Sequence, residues 1–224
     1  MRAEKKYILG VGVDPVDYDA ACGRIEAAVE SGQPLAVTAL AVHGVMTGAL
    51  NREQRHRLNQ IDLVCPDGQP VRWALNGLYG AALRDRVYGP QLMLKMAARA
   101  AARGWPVFLV GSTSATLVRL SDALRHRFSA LPIAGVHPSC FHPISEAEAD
   151  ALADEIRRSG ARLVFVGLGC PRQERWVYAF RSRLALPLIA VGAAFAFHAG
   201  ELDQAPPAMQ RWGLEWLYRL AKEP

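Results

Sequence analysis

Short apolar segments of β type alternate with longer helical segments along the chain, and no other feature constrains the fold as strongly. The alternation is typical of a parallel sheet with helices on both faces, because each parallel strand pair needs a crossover connection. We therefore predict an α/β fold in which a parallel sheet is flanked by helices. The predicted strands cover residues 35–40, 62–65, 106–111, 131–136, 162–167 and 186–192.

Capping residues delimit the helices between these strands. Ser145 followed by Glu148 forms a capping box, and Gly32, Gly104 and Gly160 are placed to end helices. The predicted helices cover residues 17–31, 91–103, 113–128, 145–159 and 171–184. At roughly 150 residues per domain, 224 residues make one large domain. We assign it to residues 1–202, within which two closely packed lobes, 1–104 and 105–202, are compatible with the pattern; 203–224 is a helical appendage.

Charge and cysteine content limit the compartment and the partners. Four cysteines are scattered without a CxxC pair, which favours a reducing cytoplasm, and no apolar segment approaches the roughly 20 residues of a membrane span. The net charge of +5 favours an anionic partner: nucleic acid, a membrane surface or an anionic substrate. Residues 84–130 carry eight Lys and Arg against two Asp, so we expect a basic region there. Nucleic acid is the weakest of the three, because this stretch lacks interleaved aromatic residues.

In open parallel sheets, ligands bind at the carboxyl ends of the strands, so the residues there are the first candidates for a site. Backbone N–H groups at a strand-to-helix junction can cradle a pyrophosphate, although each junction can equally be an ordinary tight turn. Two junctions, at residues 111–113 and 167–171, have this form. Neither of them matches the GxGxxG or GxxxxGK[ST] motif, so a site for NAD or ATP is disfavoured. The candidates are Thr38, taken as following the first strand, Gly68 after the second, Gly111 and Ser112 after the third, and Gly169, Pro171, Gln173 and Glu174 after the fifth.

Asp67 and Arg86 are the two charged candidates for chemistry. Asp67 stands on a stiff turn between Pro66 and Gly68, where it is either a turn-forming residue or a general base whose pKa is raised toward neutrality. Arg86, followed by Gly89, is either a solvated cation or a fork that grips a phosphate.

Two short motifs suggest metal ions, but for both of them a role without a metal is favoured. His137-x-x-Cys140-x-His142 offers soft ligands, but no second cluster completes a set of four. Asp17-Tyr18-Asp19 has the Asp-x-Asp form, but it lies at a helix start, where acids are favoured as caps.

The C-terminal segment 206–222 has the apolar spacing of an amphipathic helix. One ridge contains Met209, Trp212, Trp216, Leu217 and Leu220, and a second ridge contains Leu214 and Tyr218. The charged residues Arg211, Glu215, Arg219 and Lys222 lie on another face. The first ridge suits docking on the domain itself, and Arg beside Trp suits a membrane interface or a partner.

Taken together, these residues resemble the WecG/TagA/CpsF glycosyltransferases, glycosyltransferase family 26. The matching pieces occur in family order over nearly the whole chain. They are Val37-Thr38, Pro66-Asp67-Gly68-Gln69-Pro70-Val71, Arg86-Val87-Tyr88-Gly89, Phe108-Leu109-Val110-Gly111-Ser112, Val166-Gly167-Leu168-Gly169-Cys170-Pro171-Arg172-Gln173-Glu174-Arg175-Trp176 and Gly213-Leu214-Glu215-Trp216-Leu217-Tyr218-Arg219-Leu220.

The resemblance implies a Rossmann-like fold of GT-E type and an inverting transfer. A hexose or N-acetylhexosamine would move from a UDP-sugar to an undecaprenyl-diphosphate-linked saccharide in bacterial exopolysaccharide or cell-surface polysaccharide synthesis, without a required metal or other cofactor. It further implies attachment of a cytoplasmic protein to the anionic inner face of the plasma membrane by a C-terminal appendage. Because family members often continue past Lys222-Glu223-Pro224 with basic residues, we expect the appendage to be truncated. A homo-oligomer is compatible with all of this.

Site roles are also implied by the resemblance. Asp67 would be the general base, Thr38 a polar positioning group beside it, and Arg86 the arginine that steadies the diphosphate or the sugar. Gln173 would face the donor. Backbone groups at Gly68, Gly89, Gly111, Ser112, Gly169 and Pro171, together with Glu174, would complete the UDP-sugar site.

Three positions depart from the family pattern. Leu40 stands where the family usually has Asn, Ala196 where it has Asp, and Gln204 where it has Arg. These changes favour a hexose such as glucose over N-acetylmannosamine as the donor sugar, as in the xanthan-type branch. A nucleotide-binding Rossmann-type oxidoreductase and a non-catalytic scaffold of a polysaccharide assembly complex are the alternative functions.

Overall fold

A computed structural model of the protein describes residues 4–140, 144–215 and 217–218. The strands are β1 (Lys6–Ile8), β2 (Val11–Val13), β3 (Leu35–Leu40), β4 (Leu63–Pro66), β5 (Val107–Val110), β6 (Ile133–His137), β7 (Leu163–Val166) and β8 (Pro187–Ala190). The helices are α1 (Tyr18–Ser31), α2 (Val42–Leu50), α3 (Arg52–Gln60), α4 (Gln69–Tyr79), α5 (Gly89–Arg103), α6 (Ser114–Arg127), α7 (Glu146–Arg158), α8 (Arg172–Phe180), α9 (Ala194–His198) and α10 (Pro207–Arg211).

Six parallel strands form the central sheet, in the order β4-β3-β8-β7-β5-β6. The predicted α/β class and all six predicted strands are confirmed. The candidate lobes 1–104 and 105–202 meet within this sheet, where β3 of the first pairs with β8 of the second.

The strands are buried on both faces because their successive side chains enter two different cores. Phe165 and Ile189 belong to the core beneath α1, α5 and α6, whereas Val164 and Leu188 belong to the core beneath α7 and α8. Two apolar layers therefore enclose the sheet, and its carboxyl edge is left for loops and helix starts.

Local signals place the helix ends where the sequence predicts them. Asp17 is the N-cap of α1 and its carboxylate accepts the N–H of Ala20, so the Asp-x-Asp motif begins a helix as expected. The capping box of Ser145 and Glu148 opens α7. Gly104 ends α5 in the left-handed conformation.

A hairpin of β1 and β2 and the helices α2, α3 and α4 were not predicted. Leu9 and Gly10 form the hairpin turn, both with positive φ, and leucine is an unusual residue there. The turn that carries Asp67 is short, because Pro66 ends β4 and Pro70 lies in the first turn of α4. Proline suits that position, where the N–H would have no partner in the helix.

The C-terminal segment is not the single continuous helix that its apolar spacing predicts. Helix α10 ends at Arg211 with Trp212 as its C-cap, and Gly213 adopts the left-handed conformation with φ of 69°. Helical structure resumes at Glu215. The predicted ridge residues Trp216 and Leu220, and the chain end at 219–224, lie outside the described residues.

Candidate active site

The strand order brings the predicted site residues to one edge of the sheet. Asp67 follows β4 directly, and Thr38 lies within β3, not after it, in register with Val64 of β4 and Ala190 of β8. The loops after β8, β7 and β5 complete the edge. Residues as far apart in the sequence as 38 and 192 therefore lie at the same carboxyl edge of the sheet.

Asp67 is a partly buried carboxylate with a raised pKa. Its backbone N–H donates to the Leu40 carbonyl at 3.1 Å, and its Oδ2 accepts the Gly89 N–H at 3.2 Å. Burial raises the pKa of Asp67 from 3.8 to about 6, against the opposing charge of Arg86. A carboxyl group of this pKa is ionised at neutral pH and accepts a proton better than an ordinary aspartate.

Arg86 lies beside Asp67 and is not a solvated cation. Its side chain is 5% exposed, and the guanidinium carbon stands 4.4 Å from the ring centroid of Tyr88. Both terminal nitrogens donate to Glu215 in the C-terminal segment, with Nη2 to Oε1 at 2.8 Å. Because the guanidinium has five N–H groups, this fork leaves three of them for other acceptors.

Thr38 belongs to a buried network with Glu174 and Gln173. The Thr38 hydroxyl donates to Glu174 Oε1 at 3.1 Å, and Gln173 Nε2 donates to the same oxygen at 2.8 Å. Gln173 Oε1 accepts the N–H of Gly192 at 3.0 Å. All three side chains are at most 2% exposed. The Thr38 hydroxyl is therefore bonded to Glu174, although the resemblance places this hydroxyl beside Asp67. Gln173 connects the start of α8 to the turn after β8.

Glu174 is the most buried carboxylate at this edge. Its side chain is fully buried, and Oε2 has no hydrogen-bond partner among the residues that the structure describes. Cys170 lies close by, and burial together with the Glu174 charge raises the pKa of its thiol to about 12. Gln173, which the resemblance places facing the donor, uses one amide N–H and one lone pair of its oxygen in these internal bonds and is 2% exposed, so little of its side chain is open to a donor sugar.

The glycines of the candidate loops allow backbones to approach closely. A Cβ at Gly89 would lie 2.6 Å from the Val191 carbonyl oxygen, and one at Gly111 would lie 2.7 Å from the Gly167 oxygen. Each distance is shorter than any real Cβ contact, so these residues join neighbouring strand ends. Ser112 follows with a positive φ of 61°. Gly68 precedes α4 with φ of 85°.

Helix α6 starts beside Gly111 and Ser112, and α8 starts beside Gly169 and Pro171. Thr113 caps α6 by accepting the N–H of Thr116, and Pro171 occupies the N-cap position of α8. Both helix starts lie at the carboxyl edge of the sheet, where their dipoles favour an anion.

Folding pairs half of the cations of the basic stretch 84–130 with acids from outside that stretch. Arg99 and Arg103 pair with Glu26 of α1, Arg119 pairs with Glu201, and Arg86 pairs with Glu215. Four of its eight cations thus meet acids from other parts of the chain. The regional charge in the fold is therefore smaller than the sequence alone indicates.

The candidate soft ligands near residue 140 lie at the outer edge of the sheet. His137 Nδ1 lies 3.0 Å from Glu155 Oε2, and both line a cavity of about 450 Å3 together with Cys140. His142 lies outside the described residues. Within the ranges that the structure describes, His, Cys, Asp and Glu form no group of three that could hold a metal ion.

Three large apolar side chains are exposed in the described part of the C-terminal segment. The side chain of Trp212 is 73% exposed, and Leu214 and Leu217 are also exposed. No helix in the described part of the chain has the length and apolar character needed to cross a bilayer.

Reasoning from sequence misses two partners of the site. The helical spacing assigns Glu215 to a charged helix face, and it assigns no role to Tyr88, although both residues contact Arg86. Their presence within the matching pieces Arg86-Val87-Tyr88-Gly89 and Gly213-Leu214-Glu215 was the available signal.

A comparison with protein families agrees with this geometry. The model of the family described as "Glycosyl transferase WecG/TagA/CpsF family" matches residues 6–224. The match covers the sheet, the carboxyl-edge loops and the C-terminal segment.

Proposed function

Because the chain belongs to the glycosyl transferase WecG/TagA/CpsF family, we propose that it moves a hexose or an N-acetylhexosamine from a UDP-sugar to an undecaprenyl-diphosphate-linked saccharide. The family supports a glycosyl transferase in the synthesis of cell-surface polysaccharides, and it favours this reaction over a nucleotide-dependent oxidation. The observation that carries the mechanism is Asp67, a carboxyl group with a pKa of about 6 beside Arg86 at the carboxyl edge of the sheet.

The proposed step is an inverting displacement at the anomeric carbon. Asp67 takes the proton of the acceptor hydroxyl, and the hydroxyl oxygen forms the new bond to the anomeric carbon. The bond from that carbon to the diphosphate oxygen breaks on the opposite face, and its electron pair leaves with UDP. The proton remains on Asp67 until solvent removes it, so atoms and charges balance.

Neutralisation of the leaving diphosphate falls to Arg86 and the two helix starts. Arg86 keeps three N–H groups beyond its bonds to Glu215, and α6 and α8 present their N-termini at the same edge. Positive charge and oriented N–H groups stabilise a developing anion most when they are held in place beforehand. We assign this work to these groups, and the proposed transfer therefore needs no metal ion.

The buried network beneath the edge would hold the site in shape. Thr38, Gln173 and Glu174 connect β3, α8 and the β8 turn through side chains that solvent does not reach. Their proposed role is to fix the loop positions, while sugar contacts are left to the partly exposed groups above them.

The proposed location is the inner face of the plasma membrane, with a lipid-linked acceptor. The exposed side chains of Trp212, Leu214 and Leu217 support this, because exposed aromatic and aliphatic groups favour a bilayer interface. The same segment carries Glu215, which contacts Arg86, so these apolar side chains and the site are parts of one structure.

A donor panel tests the function. Full-length protein is incubated with UDP-glucose, UDP-galactose, UDP-N-acetylglucosamine and UDP-N-acetylmannosamine and a short-chain lipid-diphosphate saccharide, with and without EDTA. We expect UDP release that depends on the acceptor, with a hexose preferred because Leu40 and Ala196 lack polar side chains, and the same rate in EDTA. Absence of acceptor-dependent transfer from every donor would contradict the proposal and favour a scaffold.

A further inference from the structure

We propose that Glu215 is a positioning residue of the transfer site: by holding the Arg86 guanidinium in a two-point ion pair, it withholds positive charge from Asp67 and keeps Asp67 an effective base. The inference rests on the proposed function only in giving Asp67 the role of base. The charges of Asp67, Arg86 and Glu215 are coupled in the protein even without substrate.

Backbone hydrogen bonds fix Arg86 and Asp67 relative to each other. The Val87 N–H donates to the Pro66 carbonyl at 2.8 Å, one residue before Asp67. The Gly89 N–H donates to the Asp67 carboxylate at 3.2 Å. The segment that carries Arg86 is thus bound to the end of β4 through two residues that follow the arginine, and Arg86 cannot move far from Asp67.

Glu215 is held in place by the packing of its own segment. A Cβ at Gly213 would lie 2.9 Å from Cη2 of Trp73 and 3.2 Å from Cβ of Gln69, so the backbone before Glu215 lies directly on the first turns of α4. The Glu215 side chain is 22% exposed, and the Arg86 side chain is 5% exposed. An ion pair this shielded from water interacts more strongly than one on the surface.

Burial and two neighbouring charges act on the pKa of Asp67 in opposite directions. Burial is the strongest influence and raises the pKa of Asp67, Arg86 is the strongest one that lowers it, and Glu215 raises it. Tyr18 and Cys65 also interact with Asp67, and burial raises the pKa of both, so both stay neutral at physiological pH. Asp85, whose carboxylate accepts the Arg86 backbone N–H, is a further acid on the segment that carries Arg86. Without the Glu215 charge, only burial would oppose the effect of Arg86, so the pKa of Asp67 would fall and Asp67 would be a weaker base.

The test is a carbon NMR titration of Asp67 in protein labelled at the aspartate carboxyl groups, with the signal assigned by its loss in Asp67→Asn. Glu215→Gln should lower the pKa of Asp67 by about one pH unit, because a nearby charge has an effect of this order. Arg86→Gln should raise it. Glu26→Gln removes an acid that is as shielded as Glu215 from its ion pair with Arg99, so it is the control for loss of an acid and should leave the pKa of Asp67 unchanged.

Arg86→Gln distinguishes the effect of charge on the pKa of Asp67 from the effect of detaching the C-terminal segment. Both variants break the bond between the C-terminal segment and the site, so if loss of docking governed Asp67, both would admit water and lower its pKa. A fall in Arg86→Gln, or no change in Glu215→Gln, overturns the proposal. A second readout is the acidic limb of the kcat/KM profile, which should move to lower pH in Glu215→Gln together with the NMR value.

The titration does not require turnover, so its result is independent of the proposed function. If the wild type transfers no sugar but the pKa of Asp67 moves as expected, the function is wrong and the coupling stands. If the wild type is active and Asp67 does not respond to Glu215→Gln, the coupling is wrong and the function stands.

Discussion

Asp67→Asn should make the protein more stable at neutral pH, and by an amount that depends on pH. Asparagine has the shape of aspartate, and its side-chain oxygen can still accept the Gly89 N–H, so the change chiefly removes a charge that burial disfavours. A pKa raised from 3.8 to about 6 is a difference of about two pH units. At about 1.4 kcal/mol per unit, the ionised Asp67 costs the folded state about 3 kcal/mol.

The direction of this pH dependence follows from proton binding to Asp67 in the folded and unfolded states. The folded state holds its proton up to about pH 6, whereas the unfolded chain releases it near pH 4. The stabilisation from the protonated group is therefore complete below pH 4 and is lost as pH rises through 6. In the variant this loss does not occur, so the stability difference should grow from near zero at about pH 3.5 to about 3 kcal/mol at about pH 7.5.

Urea denaturation at half-unit pH intervals, followed by far-UV circular dichroism, measures this difference. The low-pH arm is the internal control, because both side chains are neutral there and nearly identical in shape. A stability difference that stays constant across this range, or that favours the wild type at neutral pH, would refute the reasoning that burial raises the pKa of Asp67.

Two further changes probe the loops and the exposed face. Gly89→Ala places a Cβ 2.6 Å from the Val191 oxygen. The variant should therefore lower turnover by at least about tenfold and destabilise the fold by about 1–3 kcal/mol. Gly77 is an open position within α4, so the control Gly77→Ala should stabilise the fold by about 0.5–1 kcal/mol. Equal effects in urea denaturation would contradict the packing argument. Trp212→Ala should weaken co-sedimentation with anionic vesicles severalfold, and Val118→Ala, an exposed apolar control on α6, should not; equal binding by both would remove the C-terminal face from the membrane contact.

The fold was predictable where local sequence and tertiary environment agree. Strands such as β5 and β7 are continuous apolar segments because both of their faces are buried, and the helices between them end at Gly104 and similar residues. Helix α3 escaped prediction because it is polar on most of its surface and buries only Gln54 and Leu58. Helix α2 was not predicted because Gly44 and Gly48 interrupt its helical pattern.

The site was predictable only in part, because sequence patterns do not report long-range contacts. The position of Asp67 follows from the rule that ligands bind at the carboxyl ends of parallel strands. The environment of Arg86 does not, since its partner Glu215 is 129 residues away in the sequence. The same limit applies to the charged stretch 84–130, half of whose cations pair with acids such as Glu26 that only the folded structure brings near.

The most direct test of the account is the turnover of Asp67→Asn with the preferred UDP-sugar and a lipid-linked acceptor, measured beside its affinity for UDP by calorimetry. Removal of a general base should lower kcat by about 10²- to 10⁴-fold, while UDP binds within about twofold of the wild-type affinity. Turnover within a few-fold of the wild type would contradict the assignment of Asp67 as the catalytic base.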